Sequence, residues 1–131
     1  MTPKQLETKE EMQRALPWIL EALPRLGGTH DLPDIIQLIM NGDVWLWISD
    51  KSFILTEVIQ YPKLKELNFL LAGGDMDDLL EFDDILTDYA KTEGCARIQS
   101  YGRLGFSRNR GMKALGYRQH QIVMQKDLSH G

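Results

Sequence analysis

Few residues in this chain can move a proton or hold a ligand, and they are scattered. Glu57 and Glu66 each fall within a run of β-forming residues, where a carboxylate can accept a proton from an amine or simply face water. Alternation along a half-buried strand turns charged residues outward, so both are expected at the surface. His30, His120 and His130 share no metal-ligand spacing, and no metal site is expected. The single cysteine, Cys95, cannot form an internal disulfide. With no His or helix N-terminus beside it to lower its pKa, it reads as a small core residue rather than a nucleophile.

Charge is unevenly placed. The formal net charge of -4 argues against a general nucleic-acid binder, which needs a concentrated basic face. Asp75, Asp77, Asp78, Glu81, Asp83, Asp84 and Asp88 nevertheless crowd one segment, and Arg97, Arg103, Arg108, Arg110, Lys113 and Arg118 follow it. The basic group can meet a ligand phosphate, nucleic-acid phosphates or the acidic segment of another copy, and the last would give a salt-sensitive homo-oligomer.

The elements that position these residues follow from periodicity. The 131 residues suit one domain, 1–131. TPKQLE reads as a short edge strand. Thr8 caps an amphipathic helix with Glu11 as its capping-box partner, and Met12, Ala15, Leu16, Ile19, Leu20 and Leu23 recur at helical spacing. Pro17 inside it predicts a kink or a break into two helices, and Gly27 and Gly28 end it. Asp31 caps a second helix with Pro33 in its first turn, running to Asn41 and Gly42. Val44 to Ser49 and Ser52 to Pro62 form a hairpin about Asp50 and Lys51. A third strand, Leu64 to Leu71, alternates Leu67, Phe69 and Leu71 against Lys65 and Asn68 and stops at Ala72, Gly73 and Gly74. Asp75 caps one long helix to Gly94. A strand at Cys95 to Ser100, a short helix and a last strand at Tyr117 to Lys126 complete the chain. Trp45 and Trp47 share a strand face by period two, and with Trp18 they suit a core or an interface.

That order, with a glycine loop before the long helix and Lys113-Ala114-Leu115-Gly116-Tyr117 before the final strand, resembles the GNAT acetyltransferase superfamily over almost the whole chain. The resemblance implies an α/β (α+β) fold: a mixed sheet with an antiparallel meander, one parallel central pair and flanking helices. The tail YGRLGFSRNRGMKALGYRQHQIVMQKDL is further similar to small GNAT-like proteins of bacteriophages and prophages.

The family likeness implies acetyl-CoA or CoA as cofactor, its pyrophosphate held by the backbone of Leu71, Ala72, Gly73, Gly74, Asp75 and Met76 and its 3′-phosphate by Arg108 or its neighbours. The family's Q-x-x-G-x-[GA] pattern is absent, and Asp75, Asp77 and Asp78 stand where a pyrophosphate would approach, so LAGGD also reads as a plain strand-to-helix turn. Where many family members carry a proton-donating Tyr, four residues before Gly116, this chain has Met112. Tyr101 is the nearest phenol that can substitute, and Glu57 or Glu66 would take the amine proton. The acceptor, a small-molecule or protein amine, is not encoded in any motif. An acyl-CoA N-acyltransferase and a non-catalytic phage binding or virion-associated protein, with phage proteins as partners, are both consistent with these residues. The N-terminus lacks the apolar core of a signal peptide, and no run reaches the ~18 apolar residues of a membrane span. The host cytoplasm, or a virion, is the expected location.

Overall fold

A computed structural model of the protein describes residues 3–100 and 109–128, and its first helix starts at the expected cap. In α1 (Lys9–Ala22) Thr8 Oγ1 accepts from the Glu11 N–H at 3.2 Å, while Glu11 Oε1 accepts from the Thr8 and Glu7 N–H groups at 3.0 and 2.9 Å. Lys4 Nζ lies 2.6 Å from Glu11 Oε2 and ties the preceding strand to the same carboxylate. Of the kink or break expected at Pro17, the break does not occur: the helix runs through it. Proline removes one backbone donor, and the buried Ala15, Ile19 and Ala22 on both sides of it keep the two halves seated on the sheet. The helix tightens into a 3-10 turn, Leu23–Leu26, closed by Gly27 in the left-handed region. Helix α2 (Leu32–Asn41) repeats the logic with Asp31 and Asp34 as a reciprocal capping pair and Gly42 at its C-cap.

Five strands form one sheet in the order β1-β2-β3-β4-β5: β1 (Lys4–Gln5), β2 (Trp45–Ile48), β3 (Ser52–Gln60), β4 (Lys65–Gly74) and β5 (Arg97–Ser100). The first four are antiparallel neighbours, and β4 and β5 run parallel. Strand β4 does not stop at Ala72 as its glycines suggest; it pairs with β3 as far as Gly74, opposite Ser52. Leu55 pairs with Leu71 and Thr56 with Phe69, so Leu70 is an extra residue in β4, a β-bulge. The bulge inverts the alternation. Leu67 and Phe69 pack on one face and Leu71 on the other, correcting the expectation that all three share a side.

Each face of the sheet has its own core. Ile19, Ile35, Ile48, Phe53 and Leu55 lie beneath α1 and α2, and Trp47, Ile54, Leu67, Phe82 and Leu86 lie on the opposite side. The single long helix expected after Asp75 is two: α3 (Met76–Leu80) and α4 (Asp83–Thr92). Phe82 at the junction is wholly buried, and Asp83 and Asp84 fall in the first turn of α4, where carboxylates are favoured. Among the described residues no helix is long and apolar enough to cross a membrane.

The chain divides into two compact units, Met1–Tyr101 and Gly102–Gly131. In the second, Asn109 caps α5 (Arg110–Ala114), its side chain accepting from the Met112 N–H at 3.1 Å, and Tyr117 N–H closes the helix end on the Met112 carbonyl. The strand expected at Tyr117 to Lys126 is not formed. A strand needs a hydrogen-bonded neighbour, and no other strand occurs among the described residues of that unit. Ile122, Val123, Met124 and Leu128 are accordingly exposed.

The α1 cap gives a pH signature. The Lys4 ammonium, then the Glu7 and Thr8 amides, hold the Glu11 carboxyl at about 2 against its ordinary 4.5. A depressed carboxyl pKa stabilises the fold above the unfolded value and loses that contribution as pH falls toward the folded one. Urea titrations of wild type and Glu11→Gln should therefore differ at neutral pH and converge as the pH falls from 4.5 toward 2. A gap that persists at the acid end would contradict this assignment.

Candidate functional site

Four rungs join the described parts of β4 and β5, from Glu66↔Arg97 to Phe69↔Ser100; the residues that follow Ser100 lie outside those described, and β4 runs on to Gly74. The bulge at Leu70 comes directly after the last described rung.

The glycine turn beyond it is shaped chiefly by protein packing. A Cβ on Gly73 would lie 2.7 Å from Phe53 Cε1, and one on Gly74, whose φ is +105°, would strike the Lys51 carbonyl oxygen and lie 2.6 Å from Ser52 Cα. These glycines let β4 press against the β2–β3 hairpin. Asp75 N–H donates to Lys51 O at 3.2 Å, and Asp75 Oδ1 accepts from the Asp78 N–H at 3.0 Å. Asp78 Oδ2 accepts from the hydroxyls of Ser49 and Ser52, both fully buried. Two of the three first-turn carboxylates are thus committed to the fold, and Asp77 is exposed. Positive charge arrives from elsewhere: Arg25, in the 3-10 turn after α1, donates from Nη1 to the Ala72 carbonyl at 2.7 Å. Leu71 to Met76 therefore form one continuous edge and turn with a guanidinium beside it.

The two strand carboxylates share a face, and the expectation that Glu66 faces water is wrong. Glu66 is 0% exposed; its Oε1 accepts from Arg97 Nε at 2.7 Å, and its Oε2 has no partner. Glu57 stands opposite Asn68 and is half-buried. Asn68, 3% exposed, donates from Nδ2 to Glu57 Oε1 at 2.9 Å and leaves its own Oδ1 without a partner. Glu57, Asn68, Glu66 and Arg97 make a polar strip across β3, β4 and β5. Glu57 lies one rung from Thr56↔Phe69, next to the bulge, and Glu66 lies three residues from Phe69.

Tyr101 follows Ser100 directly in sequence, but it and Arg108 lie outside the described residues. Met112 is placed inside α5. Cys95 precedes β5 rather than beginning it, and burial pushes its thiol pKa up, the opposite of an activated nucleophile. No cluster of His, Cys, Asp or Glu able to hold a metal occurs among the described residues. Trp45 and Trp47 share a face, with ring centroids 6.1 Å apart, and Tyr89 of α4 joins them at 4.9 and 5.1 Å. Arg25, Asn68, Tyr89 and the Ser49–Ser52–Asp78 contact carry no sequence motif; long-range packing alone assembles them.

No protein-family profile matches the chain, and no curated protein matches it in sequence. Solved structures do match. Glucosamine-6-phosphate N-acetyltransferase from Arabidopsis thaliana superposes with a TM-score of 0.63 at 14% identity, covering 98% of this chain and 100% of that one. The fold is that of the GNAT acetyltransferases. An acetyltransferase from Trypanosoma brucei gives 0.63 at 14% identity, covering 96% of this chain and 98% of that one. Ribosomal-protein-alanine N-acetyltransferase from Brucella melitensis gives 0.54 at 12% identity, covering 96% and 100%. The mixed sheet with one parallel pair, expected from the element order, is present in this GNAT fold.

Two substitutions test the geometry by urea denaturation. Arg97→Met leaves the buried Glu66 carboxylate without its cation and should cost about 1–3 kcal/mol, below the range for a fully buried pair because the Arg97 side chain is half in water. Adding Glu66→Gln should recover part of that loss. Gly74→Ala, which combines a collision with a left-handed backbone, should cost more than ~2 kcal/mol.

Proposed function

We propose that this GNAT-fold protein is an acyl-CoA-dependent N-acyltransferase acting on an amine. The supporting observation is the GNAT fold with its parallel β4–β5 pair and, directly after the last described rung, a bulge at Leu70 that leads β4 to the glycine turn. The Leu70 to Gly74 segment suits the amide-bearing arm of coenzyme A, and the Arg25 guanidinium beside Ala72 suits one of its phosphates. The acidic first turn of α3 does not suit a phosphate, and the reading assigns it none. Bound there, an acyl thioester would supply the activated carbonyl.

Glu57 is the carboxylate the reading assigns to the acceptor. It is half-buried, one rung from Thr56↔Phe69 beside the bulge, and the Asn68 amide fixes one oxygen, leaving the other to take an ammonium proton. Glu66 is bound to Arg97 and holds the strands together instead. Tyr101, next after Ser100, is assigned the proton for the leaving thiolate on sequence position alone. The non-catalytic alternative has its own support: Asp75 and Asp78 are satisfied by the protein, so α3 needs no ligand at its start. On that reading the fold persists as a binding or virion-associated part and is recovered in purified phage particles.

Titration with acetyl-CoA, followed by backbone amide NMR, should shift Leu70 to Met76 saturably. Glu57→Gln should then lower the rate of amine acylation at least ~100-fold with little change in cofactor affinity. The absence of shifts at millimolar acetyl-CoA would eliminate the acyltransferase reading.

A further inference from the structure

The C-terminal unit ends in a segment that faces water along its length. Every residue from Arg118 to Leu128 is exposed, and the large apolar side chains Ile122, Val123, Met124 and Leu128 are from 71% to 91% exposed in the complete chain. A run of such side chains in water marks a contact surface. We propose that this segment docks on the acidic outer side of α3 and α4 in a second copy of the chain, so that two copies exchange tails. The proposal stands whether or not acetyl-CoA binds.

Charge selects the partner. Gly102–Gly131 carries six lysines and arginines and one acid, Asp127, a formal charge of +5, whereas Met1–Tyr101 carries nine basic and eighteen acidic residues, a formal charge of -9. Two such tails repel each other, and a tail and the acidic body of another copy attract. On the tail side Arg110, Lys113, Arg118 and Lys126 are all exposed. On the other side Asp77, Glu81, Asp84 and Asp88 are exposed and recur every three or four residues, while Phe82, Leu86 and Ala90 are buried, so the four carboxylates line the outer side of α3 and α4. Among the described residues none of the four has an ion-pair partner.

Exchange closes the assembly. Each copy carries one tail and one acidic helix face, so a reciprocal exchange about a twofold axis uses both surfaces of both copies and leaves neither for a third. The apolar side chains supply the contact that excludes water. The charges supply orientation and speed of encounter, the part that salt weakens.

Sedimentation velocity of the full-length protein, freed of nucleic acid, tests this. A dimer should form at about 50 mM salt and weaken about tenfold or more at about 500 mM. Ile122→Ser combined with Met124→Ser should weaken it about tenfold at either salt. A charge swap then decides the geometry. Glu81→Lys with Asp88→Lys in one protein, and Arg118→Glu with Lys126→Glu in another, should each weaken self-association about tenfold, and mixing the two should restore the dimer, because each tail then meets a helix face of opposite charge. All six positions are exposed, and the circular dichroism of each variant should match that of the wild type. A monomer at low salt, undiminished self-association in either charge variant, or no recovery on mixing would each overturn the proposal. The acyltransferase reading is judged separately, by the amide shifts of Leu70 to Met76 with acetyl-CoA.

Discussion

The short parallel ladder between β4 and β5 is the constraint on which the rest depends. Its first rung, among the described residues, is held by a charged contact, Glu66 Oε1 to Arg97 Nε, with the carboxylate wholly buried. A buried charge carries a desolvation penalty, so the pair specifies where the strands meet more than it adds stability. With that register fixed, the Leu70 bulge and the glycine turn follow within five residues of the last described rung.

The glycine turn shows how one feature can serve folding and leave function open. Gly73 and Gly74 are small because β3 and the β2–β3 hairpin press against them, and Asp75 and Asp78 are acidic because an N–H and two buried hydroxyls need acceptors. In a nucleotide-type loop the same positions would be kept for a ligand. Here the protein satisfies most of them itself, and cationic charge is brought in by Arg25 from the 3-10 turn after α1, 47 residues away in sequence from the carbonyl it meets.

The bulge also divides the chemistry between the two faces. Below it, the face shared by Glu57, Asn68, Glu66 and Arg97 is polar; above it, the same side of β4 presents Leu71 to the α1 core. The opposite face carries Trp45, Trp47, Phe69 and Leu67 toward α4. Under strict alternation Leu71 would instead have shared a side with Leu67 and Phe69, since period two fixes each residue's side from the first.

Local chemistry made much of this readable in advance. The Thr8–Glu11 capping box, the Asp31 cap with Pro33 behind it and the hairpin about Asp50 and Lys51 all rest on contacts within a few residues, and a sequence states such contacts directly. Other features depend on distant neighbours. The break at Phe82 follows from burial of that ring, although Asp83 and Asp84 marked a helix start; the passage of helix α1 through Pro17 follows from packing on the sheet. The burial of Glu66, the grip of Asn68 on Glu57 and the side taken by Leu71 were fixed by strand register, which one bulge resets. The strand expected after Tyr117 had the right residues but no neighbour to bond. Sequence determined which segments could be helix or strand because backbone propensity and capping are local; tertiary structure decided which carboxylates are buried and which face each residue of β4 takes, because register and burial are properties of the assembled sheet.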